Sequence, residues 1–170
     1  MHKKFMFVVG GAASGKSAHA ESLVLAQGKR PVYIATAEAH DAEMAAKIAL
    51  HREAREGRGW QTVEAPLDLV TIFEARSAEE AVLLDCATLW LSNLMLAGRD
   101  VEAEADRLLD AIAACPADVT VVSNEVGAGI VPETSLGRRF RGAQGRLNQR
   151  LAAAADHVVT VIAGLPLVLK

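Results

Sequence analysis

The stretch GGAASGKS, at positions 10–17, constrains the fold of this chain more than any other feature. It follows the apolar run FMFVV and precedes AHAESLVLAQ, which has the composition of a helix. A strand, a glycine-rich loop and a helix in this order let backbone N–H groups and a helix N-terminus hold phosphate. The sequence therefore predicts a phosphate-binding loop at the carboxyl end of the first strand of an α/β sheet.

Short apolar runs alternate with longer helical patterns along the rest of the chain. These runs are rich in β-branched side chains, as buried parallel strands are. We expect strands at 5–9, 31–36, 81–86, 118–124 and 157–164, and the stretch TVEAP at 62–66 as a further strand. No repeat or low-complexity linker interrupts the pattern, so residues 1–170 are expected to form a single α/β domain, with a mostly parallel sheet flanked by helices.

The composition argues against several classes of protein. A net charge of -3 does not suit a general nucleic-acid binder. No apolar run approaches the roughly 18 residues that a membrane span needs, and MHKK leads directly into a strand rather than a signal peptide. Cys86 and Cys115 lack metal-ligand spacing and are expected to be buried apolar residues. We therefore expect a cytoplasmic protein with no nucleic-acid partner and no membrane span.

The loop matches the pattern GxxxxGK[ST], whose glycines let the backbone wrap a polyphosphate. Lys16 is expected to reach the β and γ phosphates and to act in catalysis, and the Ser17 hydroxyl to bind magnesium. The nucleotide-binding residues predicted in this loop are Gly10, Gly11, Ala12, Ala13, Ser14, Gly15, Lys16 and Ser17.

A carboxylate near the metal is expected at the end of a neighbouring strand. Asp85 ends the run AVLLD, at the edge where open α/β sheets bind their ligands. The alternative is that Asp85 caps the helix that begins near Thr88. Asn124 and Glu125 occupy the equivalent end of another strand, where their position suits contact with a substrate.

The stretch 37–55 is expected to be a helix that a plain ATPase would not need. Each helical residue advances about 100°, so one face, within about 60°, carries Met44, Ile48, His51 and Arg55. Since Arg52 and Arg55 favour an anion beside the imidazole, His51 is a candidate nucleophile toward an α-phosphate. The alternative for His51 is a packed or partly exposed side chain, and that interpretation is preferred for His2, His19, His40 and His157.

The last long helix is predicted over residues 134–155. Its expected buried stripe consists of Leu136, Phe140, Ala143, Leu147, Leu151 and Ala154. Beside that stripe lie Arg139, Arg146 and Arg150, which form either a solvated row or a contact with phosphate or another subunit.

Six stretches of the chain, in order, resemble the bifunctional adenosylcobinamide kinase / adenosylcobinamide-phosphate guanylyltransferase family. They are GGAASGKSAHAE, VYIATAEAHDAEMAAKIALHREAR, GWQTVEAP, LLDCATLWLSNL, SNEVGAGIVPE and GRRFRGAQGRLNQRLAAAADHV. The resemblance covers residues 6–163. Proteins that share only the phosphate-binding loop do not need the last two stretches, so these make the resemblance specific.

The resemblance implies two reactions. Adenosylcobinamide is phosphorylated with ATP or GTP, and GMP is then transferred from GTP to adenosylcobinamide phosphate, giving adenosylcobinamide-GDP and pyrophosphate. A histidine in the helix after the second strand carries GMP in this family, and His51 matches it. Some members have two adjacent histidines there, whereas this chain has Leu50 before His51.

The resemblance also implies a fold, an assembly and further site residues. The fold is the RecA-like branch of the P-loop NTPases, and the assembly is a homo-oligomer, a trimer in the family. Magnesium is bound by Ser17 and Asp85, and Asp85 stands where some members have Glu. The implied nucleotide contacts outside the loop are Ala35, Thr36, Ala37, Arg52, Glu53, Ala54, Arg55, Glu64 and Asp85.

Two other functions remain compatible with the residues. In a monofunctional P-loop kinase for a small metabolite, His51 would be structural and no covalent nucleotide would form. A nucleotide-binding regulatory switch would bind nucleotide without any transfer to adenosylcobinamide.

Overall fold

The computed structural model describes residues 4–39 and 42–170, without the side chains of Lys47 and Ala54. The strands in these ranges are β1 (Phe5–Gly10), β2 (Arg30–Ala35), β3 (Gln61–Glu64), β4 (Glu80–Asp85), β5 (Asp118–Asn124), β6 (His157–Ile162) and β7 (Leu165–Val168). The helices are α1 (Lys16–Leu25), α2 (Ala42–Arg55), α3 (Val70–Glu74), α4 (Ala87–Leu96), α5 (Val101–Ala114) and α6 (Ser135–Ala154).

All strands lie in one sheet of order β3-β2-β4-β5-β1-β6-β7. Every neighbouring pair is parallel except β6 and β7, which form an antiparallel hairpin. The six strands expected from the sequence are therefore confirmed, and the short one predicted at 62–66 is observed as β3, Gln61–Glu64. The predicted strand 157–164 ends earlier, at Ile162, because Ala163 and Gly164 both have positive φ and turn the chain into β7.

The register of the parallel strands brings their carboxyl ends together. Ala35 at the end of β2 lies beside Asp85 of β4 on one side and beside Glu64 of β3 on the other. Gly10 at the end of β1 lies beside Asn124 of β5. Residues distant in the chain therefore share one edge of the sheet, where parallel sheets bind ligands.

Apolar side chains cover both faces of the sheet. The larger core contains side chains of α3, α4, α5 and α6, with Phe7, Phe73 and Trp90 almost completely buried. The smaller core packs α1 against the opposite face and includes Tyr33 and Trp60. Strand residues alternate between these two cores, as the pleat requires. Within the described ranges, no helix has the length and apolar character to cross a membrane.

The helix predicted over 37–55 is observed as α2, Ala42–Arg55, and the prediction is wrong at residues 37–39. Residues 37–39 are not helical, and residues 40 and 41 lie outside the described residues. The chain just before this segment is held along the sheet, since the Thr36 hydroxyl donates to Cys86 O at 2.8 Å and accepts from Cys86 N at 2.8 Å. These contacts continue the extended path of β2 beyond its last residue.

Helix α6 matches the expected range closely. The Thr134 hydroxyl caps it by accepting a hydrogen bond from Gly137 N at 3.0 Å. The middle of the predicted stripe is buried, but Leu136 and Ala154 are exposed because both ends of the helix extend past the core.

The arginine row on α6 is partly explained by ion pairs with α5. Arg146 Nε lies 2.9 Å from Glu102 Oε1, and Arg150 pairs with both Glu102 and Asp106. Arg139 is exposed. Two of the three arginines thus join neighbouring helices of the same chain.

Candidate nucleotide-binding site

The phosphate-binding loop connects β1 to α1, and its shape depends on Gly10. A Cβ atom on Gly10 would lie 2.6 Å from both Ser14 Oγ and the backbone oxygen of Val161, so only glycine fits. Ala13 and Gly15 adopt left-handed backbone angles with φ of 54° and 90°. The backbone therefore curls into the concave form that presents N–H groups to an anion.

Two neighbouring segments hold the loop in place. Glu125 N, just after β5, donates to Gly10 O at 3.0 Å, and Gly164 N in the β6–β7 turn donates to Ser14 O at 2.8 Å. The loop is therefore bonded on both sides to backbone distant in sequence.

Lys16 is the first residue of α1 and is almost fully buried. Its ammonium group donates to Gly11 O at 3.0 Å, so the positive charge lies against the loop. The side chain is thereby held where the phosphates of a nucleotide would enter.

A cavity of about 380 Å³ opens beside the loop, at the carboxyl ends of β2, β3 and β4. It brings together most of the predicted site residues: Ala12, Ala13, Lys16, Ser17, Ala35, Ala37, His51, Arg52, Arg55, Glu64 and Asp85. The other side chains that line it are Tyr33, Met44, Ile48, Thr62, Cys86, Leu89 and Asn124.

The structure places the remaining predicted residues around this cavity rather than on its wall. Gly10, Gly11, Ser14 and Gly15 form the backbone of the loop. Glu53 is exposed on α2, and the side chain of Ala54 lies outside the described part of the chain. Thr36 is fully buried and bonds to Cys86, as described above, so its side chain supports the strand ends.

Asp85 accepts a hydrogen bond from the Tyr33 hydroxyl, with 2.9 Å between the phenol oxygen and Oδ2. The N-cap of α4 is Cys86, whose Sγ accepts from Leu89 N at 3.4 Å. The alternative that Asp85 caps this helix is therefore wrong. Burial, with a smaller contribution from Asp85, raises the pKa of the Cys86 thiol to about 11, so the thiol stays protonated at neutral pH.

The donor set suits magnesium bound together with a nucleotide. Ser17 and Asp85 line the same cavity and supply one hydroxyl and one carboxylate, the oxygen ligands that Mg²⁺ uses beside substrate phosphates. Within residues 4–39 and 42–170, no group of three or more His, Cys, Asp or Glu side chains could hold a metal ion by itself. Phosphate oxygens and water would therefore complete the coordination.

His51 lies on the face of α2 that borders the cavity, with Met44 and Ile48 in the preceding turns. Its side chain is exposed, so the imidazole is accessible to a bound molecule. The neighbouring Arg52 forms an ion pair with Glu64 of β3, which connects α2 to the sheet. The helix thus presents the imidazole beside two cationic side chains, Arg52 and Arg55.

Of the two arginines beside His51, Arg55 is buried and Arg52 is exposed. The Arg55 guanidinium carbon lies 3.5 Å from the centroid of the Tyr33 ring, and its Nε and Nη1 atoms are buried with no hydrogen-bond partner. Trp60 packs edge-on against the same ring, with centroids 5.8 Å apart. Donors that are desolvated and unpaired in this way are satisfied by an anion.

Glu21 of α1 lies near this group and is almost fully buried. Burial raises the pKa of its carboxyl group, Arg55 opposes that shift, and Asp85 adds to it. Burial and Asp85 likewise raise the pKa of Tyr33, so the phenol remains a hydrogen-bond donor. The sequence interpretation missed both residues. A tyrosine within an aliphatic strand is a usable signal, because a buried phenol requires a partner.

A buried polar network positions Asn124. Its backbone N donates to Thr88 Oγ1 at 2.8 Å, and its backbone O accepts from Asn148 Nδ2 at 3.0 Å. Ser123 and Gln144 complete the network through hydrogen bonds to Asn148 Oδ1 at 2.6 and 2.9 Å. The polar residues of α6 therefore hold the end of β5, whereas Glu125 is exposed and does not line the cavity.

The other described histidines lie away from the cavity wall. His19 is half-buried on α1, and His157 is exposed at the start of β6. His2 and His40 lie outside the described residues.

The sequence matches the family described as "Cobinamide kinase / cobinamide phosphate guanyltransferase" over residues 6–169. The bifunctional adenosylcobalamin biosynthesis protein CobU of Salmonella typhimurium is 42% identical over 181 residues, covering 97% of this chain and 99% of that protein. The bifunctional adenosylcobalamin biosynthesis protein CobP of Pseudomonas aeruginosa is 42% identical over 166 residues, covering 96% of this chain and 95% of that protein.

Solved structures of other proteins share the fold of this chain. The RadB recombinase has a TM-score of 0.55 at 15% identity, over 92% of this chain and 73% of that one. A KaiC-like protein from Pyrococcus horikoshii has a TM-score of 0.53 at 11% identity, over 92% and 71%. The predicted fold class, a RecA-like P-loop fold with a mostly parallel sheet, is confirmed.

Proposed function

The chain belongs to the cobinamide kinase / cobinamide phosphate guanyltransferase family, and we propose that it performs both transfers in the cavity between the phosphate-binding loop and α2. It is a bifunctional transferase of cobalamin biosynthesis that phosphorylates adenosylcobinamide with ATP or GTP and then adds GMP from GTP. The observation that carries the shared site is that Lys16 and His51 line the same cavity.

In the kinase step, the loop and Lys16 hold the triphosphate so that the corrinoid hydroxyl can attack the γ-phosphorus. The new P–O bond forms as the bond from that phosphorus to the β,γ-bridging oxygen breaks, the nucleoside diphosphate leaves, and the hydroxyl proton passes to water. Phosphoryl transfer requires little covalent chemistry from the protein, so positioning and charge stabilisation supply the catalysis. Magnesium bound through Ser17 and Asp85 would neutralise charge that develops on the phosphate oxygens.

In the guanylyl step, an imidazole nitrogen of His51 attacks the α-phosphorus of GTP. The P–N bond forms as the P–O bond to the leaving pyrophosphate breaks. An oxygen of adenosylcobinamide phosphate then attacks the same phosphorus, and the P–N bond breaks to release adenosylcobinamide-GDP and free imidazole. Arg52 and Arg55 lie beside His51, where they can stabilise the charge on the α-phosphate.

The two steps act on different phosphates of the nucleotide. Lys16 serves the γ-phosphate, whereas His51 must face the α-phosphate. Either the triphosphate binds in two modes, or α2 moves between the two reactions.

The covalent step is tested by incubating the protein with GTP labelled at the α-phosphorus and magnesium, followed by denaturation. Label that stays on the protein, is lost in acid and survives alkali identifies a phosphoramidate. His51→Ala should abolish labelling, because the nucleophile is removed. His19→Ala is the matched control, since His19 lies on α1 away from the cavity wall, and it should label normally.

Two outcomes would contradict the proposal. Active protein without label would favour the kinase-only function, with His51 structural. Full labelling of His51→Ala would place the nucleophile elsewhere. Product analysis with adenosylcobinamide and GTP is the accompanying assay. Recovery of neither the phosphate nor the GDP derivative would refute both transfers and leave the small-metabolite kinase and the nucleotide-binding switch.

We further propose that the enzyme is a cytoplasmic homo-oligomer, a trimer as the family resemblance implies. Cys86 and Cys115 are both buried and form no disulfide in the described structure, which fits a reducing compartment. Exposed apolar side chains on the edge strand β7, among them Leu165, Leu167 and Val168, support an association between subunits.

A further inference from the structure

We infer that Tyr33 is a positioning residue that holds the Asp85 carboxylate and the Arg55 guanidinium apart. Asp85 is then available to bind the magnesium ion, and Arg55 is available to bind the nucleotide phosphates. The inference rests on the proposed function, which places both groups beside the same nucleotide. Tyr33 itself bonds to neither substrate in this scheme and acts through the two side chains that it touches.

The geometry of Tyr33 joins three elements of the site. Its side chain projects from β2 and is almost fully buried. Its hydroxyl donates to Asp85 Oδ2 of β4 at 2.9 Å, and its ring lies 3.5 Å from the Arg55 guanidinium carbon of α2. The Trp60 ring meets the Tyr33 ring at 86°, which restricts its rotation.

This arrangement solves a problem of opposite charges. A carboxylate and a guanidinium that line one cavity tend to form a bidentate ion pair. In such a pair the carboxylate oxygens could not bind the cation and the guanidinium N–H groups could not bind phosphate. No ion pair within 4.0 Å joins Arg55 to Asp85 in the described structure, although both line the cavity. The phenol satisfies one carboxylate oxygen instead.

The Tyr33 ring contacts the Arg55 guanidinium through its face. A cation above an aromatic ring is attracted through its face, which leaves the N–H edge unoccupied. Arg55 Nε and Nη1 are accordingly buried without a partner. The ring therefore holds the buried guanidinium in place while its Nε and Nη1 donors remain available to phosphate oxygens.

The test separates the hydroxyl of Tyr33 from its ring. Binding of an α,β-methylene analogue of GTP, in which a stable P–C–P bridge replaces the bond that guanylyl transfer would break, is measured by calorimetry in magnesium and in EDTA, without adenosylcobinamide. Tyr33→Phe keeps the ring and removes the bond to Asp85, so it should reduce the affinity gain from magnesium by about tenfold and leave affinity in EDTA unchanged. Tyr33→Leu removes both interactions and should weaken binding under both conditions.

A double-substitution cycle checks the contribution of the ring. In EDTA, Tyr33→Leu should weaken binding in the wild-type background and have little further effect in Arg55→Gln, because the interaction it supports is already lost. Thr120→Val is the matched control, since it removes a buried hydroxyl that has no hydrogen-bond partner from the same sheet. It should bind the analogue normally in both conditions.

Two results would overturn the inference. One is a Tyr33→Phe protein with the full magnesium gain, and the other is additive losses from Tyr33→Leu and Arg55→Gln in EDTA. Thermal unfolding identifies any variant that fails to fold, and the conservative Tyr33→Phe keeps the test decisive in that case. Binding does not require guanylyl transfer, so absence of label on His51 would refute the proposed function without affecting these measurements.

Discussion

Gly10 and Gly11 are adjacent residues with different constraints in the phosphate-binding loop. A side chain on Gly10 meets the Val161 backbone oxygen at 2.6 Å, and backbone cannot yield as a flexible side chain can. A Cβ atom on Gly11 meets nothing within 4 Å, and alanine retains the backbone N–H that a phosphate would use. The requirement for glycine is therefore strict at one position and absent at the next.

We predict that Gly10→Ala destabilises the protein by about 1–3 kcal/mol and impairs nucleotide binding, because the loop must shift to relieve the collision. Gly11→Ala, the matched control, should change the free energy of unfolding by less than about 0.5 kcal/mol. Denaturant unfolding and nucleotide titration measure both effects. Equal stability and affinity for the two variants would show that the loop adapts to a side chain at either position.

At the scale of elements, Asp118 joins segments at the edge of the sheet opposite the site. It begins β5, accepts from Lys4 N at 2.8 Å just before β1, and forms an ion pair with Lys29 Nζ at 2.8 Å just before β2. Burial alone would raise the pKa of Asp118, but the hydrogen bonds from Lys29 and Lys4 and their charges outweigh it, so the pKa is lowered.

A lowered carboxyl pKa determines the sign of the pH dependence. The unfolded state binds the proton more tightly, so Asp118 stabilises the fold above its ordinary pKa of about 4, and this contribution is lost as the pH falls through the lower folded-state value. Asp118→Asn should therefore lower the free energy of unfolding at pH 7 by about 1–3 kcal/mol. The difference from wild type should shrink below about pH 4.

Denaturant unfolding from pH 7 down to pH 2 measures this difference. Asp110→Asn, an exposed position on α5, is the control and should follow the wild-type curve. A wild-type advantage over Asp118→Asn that stayed constant down to pH 2 would exclude the carboxylate charge as its source.

At the scale of the whole molecule, the exposed apolar side chains of β7 are difficult to explain in a monomer. This strand closes one edge of the sheet, with β6 on one side and no strand on the other in the described structure. Leu165 and Val168 are 72% and 70% exposed. Exposed apolar edge strands favour association, so this edge is a candidate contact between subunits.

Sedimentation equilibrium should therefore give a mass that is a multiple of the 18.0 kDa chain. Leu167→Lys should lower that mass, because a charge on an edge strand opposes pairing with another copy. Leu96→Lys is the control, since Leu96 is similarly exposed but lies at the end of α4. A wild-type protein that sediments as 18.0 kDa at micromolar concentration would refute the homo-oligomer.

The sequence by itself determined the local elements and the chemical types at their ends. Strand periodicity, the loop GGAASGKS and the acid that ends AVLLD are readable because each depends on neighbouring residues and on the rule that parallel strands end at one edge. Family resemblance extended this to His51 and to the two transfers. The start of α2 was not readable, since the segment before it is held by Cys86, which is distant in sequence. The hairpin strand β7 was missed because the predicted strand 157–164 ran through the turn at Ala163 and Gly164.

Only the tertiary structure decided which partners the charged groups of the site contact, and that Asp85 and Arg55 form no ion pair with each other in the described structure. Tyr33 and Asp85 are far apart in sequence and lie on adjacent strands, and Arg55 approaches the same ring from a helix. No local sequence pattern predicts these contacts, because they depend on both the strand register and the packing of α2 against the sheet. The physical reason is that a buried cation and a buried anion both need specific partners, and the folded chain alone determines which side chains those are.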